Sequence, residues 1–283
     1  MSIEEAITIS FKSVSFNKWK EIAEKTVRGK SIDSLSKQTC EGIKLSPLYT
    51  SEHLDSIEVE QFPGIGSTIR GSLKADTNIW KIAQVLEKRN WEDLKSDIVM
   101  GIKNGQETIS FDADILSDIH RLNFMELRKV IDFNVYPLFI ISKTNFHEVA
   151  LKLLQSDGVN ISGVMGKDLL SSDLHNGFLF KPTSNLFNNW LETVEKLNKH
   201  CDHLRTIVID VTSYQSSGAS AIQELGIAIS EAVFYIEKMQ EYGWDPIKTI
   251  QKIVFQFSIG GQFFIETAKL RAFKKLWKMI STF

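Results

Sequence analysis

Along residues 107–260, five short apolar runs of strand type alternate with segments of helical periodicity. Between the runs, apolar residues recur every three or four positions, which is the spacing of an amphipathic helix. Strands and helices that alternate in this way form right-handed βαβ crossovers and a parallel sheet, and strands that are apolar throughout are covered on both faces. The five runs are ETISFDA, VYPLFIIS, NISGVMG, RTIVIDVTS and KIVFQFSIG.

This alternation predicts an α/β protein with about five βα units. A closed eight-unit barrel takes about 250 residues, which is more than the chain offers beyond its first 75 residues. The options are therefore an open five-stranded sheet or an incomplete parallel (β/α) barrel of TIM type, and the second leaves two bare strand edges. Helices are predicted over 77–90 and 91–105, before the first strand, and over 218–243, after the fourth.

The first 75 residues differ from the rest of the chain. Ser15 precedes apolar residues at helical spacing, which predicts a helix over 15–28 with Gly29 after its end. The residues that follow hold Pro47 and Pro63 and few apolar runs, a pattern typical of an extended segment with turns. We therefore predict an extended N-terminal arm over residues 1–75 and a partial (β/α) barrel domain over residues 76–283.

Composition limits the partners that such a chain would take. The 283 residues are 43% apolar and carry a formal charge of −2, so no bulk positive field attracts nucleic acid. Cys40 and Cys201 are too few for a disulfide framework and favour a reducing compartment. The start of the chain carries Glu4 and Glu5, unlike a targeting segment, and no apolar run is long enough for a membrane span. We expect a soluble cytoplasmic protein without nucleic-acid or membrane partners.

The fourth strand runs into the polar turn DVTSYQSSGAS, residues 210–220. Parallel α/β folds bind their ligands at the carboxyl ends of the strands, so this turn is a candidate site. Tyr214 offers a hydroxyl and an aromatic face, Gln215 offers an amide, and residues 216–218 offer backbone N–H groups. The alternative is that the serines cap the next helix and Gly218 turns the chain. The spacing alone favours neither interpretation.

Two glycine-rich stretches offer weaker candidates. Ser258 and Gly260 follow the fifth strand, where paired glycines either let a ligand approach the backbone or form a plain turn, and the turn is the commoner case. The stretch PGIGSTIRG, residues 63–71, matches neither a dinucleotide-binding nor a P-loop motif. Its Arg70 either clamps a carboxylate or phosphate or anchors the arm.

No catalytic or metal-binding set is predicted. His200 and His203 are one helical turn apart but lack a second ligand cluster, so they are interpreted as a polar helix end. The stretch DIHRLN, residues 118–123, is interpreted as a loop. The basic side chains of the last helix, Lys269 among them, suit the negative end of a helix dipole.

Three ordered stretches resemble the methylmalonyl-CoA mutase family, and its small (beta) subunit in particular. The arm carries KWKEIAEKTVRGK, EGIKLSPLYT and FPGIGSTIRG in the family's order. The turn YQSSGASAIQEL is similar to a small-subunit strand end that reads like YHNAGANAVQEL, and SIGGQFFIETAKLRA is the most specific match. The resemblance covers both ends of the chain, whereas residues 76–200 match mainly in their pattern of elements.

The resemblance implies a (β/α)₈ barrel followed by a cobalamin-binding domain, and interconversion of methylmalonyl-CoA and succinyl-CoA with adenosylcobalamin. It also implies substrate positions. A family Tyr near the substrate falls on Thr68, with Arg70 and Gly71 kept, and a substrate-contacting Tyr-His pair falls on Tyr214 and Gln215. A glutamine side chain has no titratable proton, so it cannot replace histidine in acid–base chemistry.

These departures imply that the chain itself is non-catalytic and supports a large, catalytic subunit. Its substrate-binding candidates, which would be vestigial, are Thr68, Arg70, Tyr214, Gln215, Ser258 and Gly260. The resemblance places adenosylcobalamin in the complete enzyme, with neither the cofactor nor its domain expected on this chain. The alternatives are a truncated piece of a full mutase and a domain that binds acyl-CoA without turnover.

Overall fold

A computed structural model of the chain describes residues 12, 14–54, 69–71, 80–156, 161–171, 174 and 184–282. The chain divides into two compact units, Met1–Glu60 and Gln61–Phe283. None of the helices in the described ranges combines the length and the apolar character that crossing a bilayer requires.

The first unit consists of short elements. Helix α1, Phe16–Thr26, begins at Ser15, whose side chain accepts a hydrogen bond from the Lys18 backbone N–H, so the predicted helix and its cap are confirmed. Two 3₁₀ turns follow, and between them strand β1, Lys37–Gln38, pairs antiparallel with β2, Lys44–Leu45. The extended character of the whole arm stays a prediction.

The second unit is built on a five-stranded parallel sheet. Its strands are β3, Ile109–Ser110; β4, Leu138–Ile141; β5, Gly163–Lys167; β6, Leu204–Asp210; and β7, Ile253–Gln256. Each of the strands β4 to β7 pairs in parallel with the one before it, so the order in the sheet is the order in the chain. All five predicted strands and their parallel arrangement are confirmed.

Eight helices accompany the strands of this unit in the described ranges. They are α2, Trp91–Lys103; α3, Phe124–Arg128; α4, Phe146–Leu154; α5, Ser184–His200; α6, Thr212–Ser216; α7, Ala221–Glu241; α8, Pro246–Lys252; and α9, Phe263–Ser281. The sequence did not predict the short helices α6 and α8. The predicted helix over 218–243 is confirmed as α7, which begins later, at a capping box between Ser220 and Gln223.

The helix predicted over 77–90 is wrong for its described part, residues 80–90, which are not helical. Leu86 instead forms a parallel bridge with Phe111. The Asp112 backbone N–H donates to the Leu86 carbonyl, and the Glu107 N–H donates to the Ile82 carbonyl, both at 2.9 Å. A helix would have satisfied these backbone groups internally and left the edge of β3 without partners, so tertiary pairing outweighs the local helical pattern.

Apolar residues of the strands and helices form one core. Two glycines of β5 allow the neighbouring strands to come within hydrogen-bonding distance. Gly163 has a φ of +112°, and a Cβ there would lie 2.1 Å from the Leu138 carbonyl oxygen. At Gly166 a Cβ would lie 2.6 Å from the Thr206 carbonyl oxygen. Both neighbours are backbone atoms of the adjacent strands, so side chains larger than hydrogen do not fit.

Candidate functional site

The carboxyl ends of β5, β6 and β7 bring polar residues to one edge of the sheet. Asp168 directly follows β5, Asp210 is the last residue of β6, and Ser258 lies two residues beyond β7. This is the edge at which parallel α/β proteins hold their ligands.

Asp168 is the centre of a buried hydrogen-bond network, with 4% of its surface exposed. Its carboxylate accepts from the backbone N–H of Asp210 at 2.8 Å and of Leu170 at 2.9 Å. Tyr235, on α7, donates its hydroxyl to the same carboxylate at 2.9 Å. Burial raises the pKa of Asp168, while these hydrogen bonds act in the opposite direction. The network joins the ends of β5 and β6 to helix α7.

Glu231, also on α7, is a second buried carboxyl group. Its Oε1 accepts the hydroxyl proton of Tyr214 at 2.8 Å. Burial raises the pKa of Glu231 to about 9, and the charge of Asp168 and a hydrogen bond with Asp168 add to the rise. Glu231 is therefore a neutral carboxylic acid at neutral pH, as expected when two carboxyl groups share a low-dielectric site. Burial, followed by the nearby charge of Glu231, also raises the pKa of Tyr214.

A largely apolar cavity of about 890 Å³ lies beside this pair. Tyr214 and Glu231 supply polar groups to this cavity. Small side chains of α7 and of the turn before it also line the cavity. The lining is completed by Leu170, Leu174, Ser217, Gly218, Ala219, Gln223, Gly226, Ile227, Ser230 and Phe234.

A buried ion cluster holds the end of β7. The Lys269 ammonium lies 2.5 Å from Glu224 and 2.6 Å from Glu266, and it donates to the Ser258 carbonyl at 2.8 Å. The side chains of Lys269 and Glu224 are each 1% exposed. Burial alone lowers the pKa of Lys269, but the hydrogen bonds to the two carboxylates outweigh it, so the pKa is raised. Lys269 lies in the first half of α9, so its interpretation as a dipole charge at the helix end is corrected.

Gly260 belongs to the same cluster. Its backbone N–H donates to Glu266 Oε1 at 3.0 Å, and a Cβ there would lie 2.9 Å from that oxygen and 3.8 Å from Gln215 Nε2. The structure thus brings Gln215 and Gly260 together, as their shared sheet edge predicted. A side chain at residue 260 would require the Glu266 carboxylate to shift.

Backbone N–H groups of the turn after β6 donate to carbonyls within the same turn. The N–H of Ser217 donates to the carbonyls of Ser213 and Tyr214, and the N–H of Gly218 donates to the Gln215 carbonyl at 2.9 Å. Gly218 has a φ of +98°, and Ser220 caps α7. Of the two interpretations that the sequence left open, Ser217 and Gly218 therefore fit the turn, because their N–H groups bond within it.

Two sequence candidates, Thr68 and Arg70, are not part of the contacts described above. Thr68 is outside the described residues. Arg70 is exposed in a turn that precedes the buried Gly71. The structure does not test the role of either side chain, so substrate binding by Thr68 and Arg70 stays a prediction.

The described ranges contain no group of three or more His, Cys, Asp and Glu side chains placed to hold a metal ion. His200 is the last residue of α5 and contacts the Lys196 carbonyl at 2.8 Å, in agreement with a polar helix end. The DIHRLN stretch forms a 3₁₀ turn, Ile119–Arg121, in which Asp118 accepts from the His120 backbone N–H and pairs with Arg121. Asp118 is thus engaged within its own turn, in agreement with the interpretation of this stretch as a loop.

Sequence reasoning missed Asp168, Glu224 and Glu231, and it assigned Lys269 to the helix dipole instead of a buried ion cluster. A signal for two of them was present, because Glu224 and Glu231 lie seven residues apart on the stripe of α7 that also holds Leu225, Ala228 and Ala232. Acidic residues on the apolar face of an amphipathic helix need a buried partner. Their partners, Lys269 and Tyr214, are more than fifteen residues away in sequence, and only the fold identifies them.

A parallel sheet with buried carboxyl groups at the ends of β5 and β6 defines an α/β protein with a candidate site at its carboxyl edge. A family model described as methylmalonyl-CoA mutase matches residues 141–283, about half of the chain. The chain belongs to the methylmalonyl-CoA mutase family, as the sequence resemblance indicated.

Relatives match nearly the whole chain. It is 26% identical to methylmalonyl-CoA mutase of Cereibacter sphaeroides, over 93% of this chain and 41% of that protein. It is 24% identical to a methylmalonyl-CoA mutase small subunit of Streptomyces virginiae, over 98% of this chain and 46% of the subunit. The large subunit from the same organism is 25% identical, over 96% of this chain and 41% of that subunit. The chain thus spans less than half the length of these relatives.

Proposed function

We propose that this chain is a small-subunit-like mutase protein that is non-catalytic and supports a large, catalytic subunit. The observation that carries the proposal is the pairing at the end of β6. Tyr214, which stands where the resemblance puts a substrate-contacting Tyr, donates its hydroxyl to Glu231 on α7. The adjacent Gln215 stands where the resemblance puts a histidine, and an amide has no proton of tunable acidity.

The fold supports the same proposal. The five strands follow one another around the sheet in chain order, which is the order in the wall of a (β/α) barrel. We propose that they form part of a TIM-type barrel and that the missing wall comes from further chain or from a partner. Within the described residues β7 pairs with β6 alone, and a free strand edge is a surface for such an addition.

In this proposal the complete enzyme interconverts methylmalonyl-CoA and succinyl-CoA, and adenosylcobalamin supplies the radical chemistry from the large subunit. This chain would bind no cofactor itself. It would act in the cytoplasm, and its low net charge supports neither nucleic acid nor a membrane surface as a partner.

Co-expression with a mutase large subunit tests the proposal. We expect a stable complex by size-exclusion chromatography and mutase activity that depends on this chain. Gln215→His should leave both unchanged, because the large subunit would carry the reaction. Turnover by this chain alone with adenosylcobalamin, or failure to form any complex, would overturn the proposal.

Two other functions each have one supporting observation. The length comparison favours a piece of a full mutase, and a continuous reading frame beyond Phe283 that encodes the remaining barrel strands would establish it. The cavity beside Tyr214 favours an acyl-CoA-binding domain, since its 890 Å³ falls in the usual size range of ligand pockets. Thermal stabilisation by CoA esters would support that function, and its absence at saturating ligand would remove it.

A further inference from the structure

The start of helix α9 carries two large aromatic side chains that the described residues do not bury. Phe263 is 73% exposed and Phe264 is 83% exposed, and their rings are in edge contact at a centroid distance of 5.4 Å. Helix α9 packs on the sheet through Phe273, whose ring lies 4.6 Å from that of Phe255. At about 100° per residue, Phe264 lies on the side of the helix opposite Phe273. Packing of α9 on its own sheet therefore leaves Phe264 facing outward.

A largely apolar cavity of about 320 Å³, which we call the α9 groove, lies against this outer side of the helix. Its large apolar side chains are Ile69 and Phe264, and its small ones are Ala268 and Ala272, one helical turn apart. Thr267 also lines the groove, but its hydroxyl donates to a backbone carbonyl of the same helix at 2.8 Å. The groove floor is therefore apolar, and its small side chains allow another helix to approach closely.

Two cations complete the lining of the α9 groove. Arg271 and Lys275 lie one helical turn apart beside the alanines, and neither forms an ion pair with any described residue. Glu266, the one acidic residue of α9, is engaged by the buried ammonium of Lys269 at 2.6 Å. Arg271 and Lys275 both precede the last turn of the helix, so the helix dipole does not account for their positions. The groove thus combines an apolar floor with two cations that lack an acidic partner in the described part of the chain.

This charge pattern selects the kind of partner that the groove fits. A second copy that met α9 face to face across a two-fold axis would bring like charges together, which is unfavourable. An amphipathic helix with carboxylates at i, i+4 spacing would lay its apolar row on the alanines and place its carboxylates beside Arg271 and Lys275. Phe264 would supply the aromatic anchor that commonly carries much of the binding energy at a protein interface.

We propose that the α9 groove docks an acidic amphipathic helix of a partner protein, which Phe264 anchors and Arg271 and Lys275 pair with. In a (β/α) fold the helices form the outermost layer. Further strands and helices would therefore extend the sheet beside α9 and leave its outer side open. The docking surface exists whether or not the barrel is completed, so it does not rest on the proposed subunit role.

Peptide binding to the full chain tests the proposal. The probe is a fluorescein-labelled, stapled helical peptide with leucines along one face and glutamates at i, i+4 spacing beside them. The matched probe carries glutamine in place of each glutamate, and fluorescence anisotropy is measured for both at the same ionic strength. We expect saturable binding of the glutamate peptide and about tenfold weaker binding of the glutamine peptide, because only carboxylates pair with the two cations.

Matched variants assign the binding to the α9 groove. Arg271→Gln with Lys275→Gln should remove the preference for the glutamate peptide. Phe264→Ala should weaken the binding of both peptides by about tenfold, because it removes the anchor. Lys103→Gln with Lys129→Gln removes the same charge at the ends of α2 and α3 and should change neither affinity. All five positions are exposed, so the variants are expected to fold, and circular dichroism checks this.

Three results of the peptide experiment would overturn the proposal. They are the absence of saturable binding of the glutamate peptide, equal affinity for the two peptides, and equal effects of the groove variants and the control variant. Cosedimentation with phosphatidylserine vesicles that the Arg271→Gln, Lys275→Gln variant loses, without peptide binding, would identify an anionic membrane as the occupant instead. Self-association in size-exclusion chromatography that the same variant loses would identify a second copy, and it would equally overturn the proposal.

Discussion

Tyr214 donates its hydroxyl to Glu231 Oε1 across 2.8 Å, and this contact fastens the turn after β6 to helix α7. The acceptor is a carboxyl group that burial keeps neutral, with a pKa of about 9. Two carboxyl groups, Glu231 and Asp168, therefore occupy one buried region with fewer than two charges at neutral pH. The stability of this edge of the sheet therefore depends on the protonation of Glu231 and Asp168.

The first prediction is a fall in stability as pH rises. The folded-state pKa of Glu231 is raised from 4.5 to about 9, so the folded protein holds its proton more tightly than the unfolded chain does. This contribution is fully present below the ordinary pKa and is lost progressively as pH approaches 9. The raised pKa of Asp168 acts in the same direction. Urea denaturation across this pH range should show a decline of a few kcal/mol, at roughly 1.4 kcal/mol per pKa unit as an upper limit.

Glu231→Gln separates this effect from other titrations. The amide keeps an oxygen for Tyr214 but does not titrate, so the variant should lose most of the slope between the ordinary pKa and pH 9. The same slope in the variant and the original protein would contradict the assignment of a neutral Glu231.

The second prediction concerns the hydroxyl of Tyr214. Tyr214→Phe keeps the ring but leaves the carboxyl of Glu231 without its donor, which should lower the free energy of unfolding by about 1–3 kcal/mol. Tyr242→Phe is the matched control, because Tyr242 donates to Asn188 at 2.7 Å in an exposed contact and its loss should cost less than about 0.5 kcal/mol. Equal midpoints for the two variants in chemical denaturation would contradict a structural role for the Tyr214 contact.

The strands of the second unit follow from the sequence because each is a short apolar run that a parallel sheet buries on both faces. The structure of segment 80–90 does not follow from the sequence. Its hydrogen-bond partners are Glu107 and the residues next to Phe111, and the pattern of apolar residues within the segment carries no information about them. Prediction from local periodicity fails where the edge of a strand distant in sequence offers the backbone hydrogen bonds that compete with a helix.

The candidate site shows the same division. The positions of Tyr214, Gln215 and Gly260 at one edge follow from the rule that parallel strands end together. The partners that decide their roles do not follow from it, because Glu231 and Glu266 are contributed by helices whose facing depends on the finished packing. The sequence thus locates the site, whereas its chemistry depends on contacts between elements.

The third prediction concerns the buried ion cluster. Lys269→Met removes the cation between Glu224 and Glu266 and leaves two carboxylates facing each other out of water. Breaking a buried pair on one side typically costs about 3–5 kcal/mol. Lys238→Met is the control, because its pair with Glu241 is exposed and should be worth at most about 1 kcal/mol.

A double variant identifies the cause of this loss. Lys269→Met with Glu224→Gln removes one of the unpaired charges, so it should recover part of the stability lost in Lys269→Met alone. Denaturation of the original protein, Glu224→Gln, Lys269→Met and the double variant gives the coupling energy. Purely additive losses would mean that Lys269 acts through packing instead of charge.

The last prediction uses two glycines with opposite surroundings. Gly163→Ala would place a Cβ 2.1 Å from the Leu138 carbonyl oxygen at a φ of +112°, so β4 and β5 could not keep their register. Gly226, inside α7, has open space where its Cβ would be. Because alanine is favoured over glycine inside a helix, Gly226→Ala should raise the free energy of unfolding by up to about 1 kcal/mol. Soluble yield and denaturation midpoints measure both changes, and a well-folded Gly163→Ala protein would show that β5 does not pack against β4 this closely.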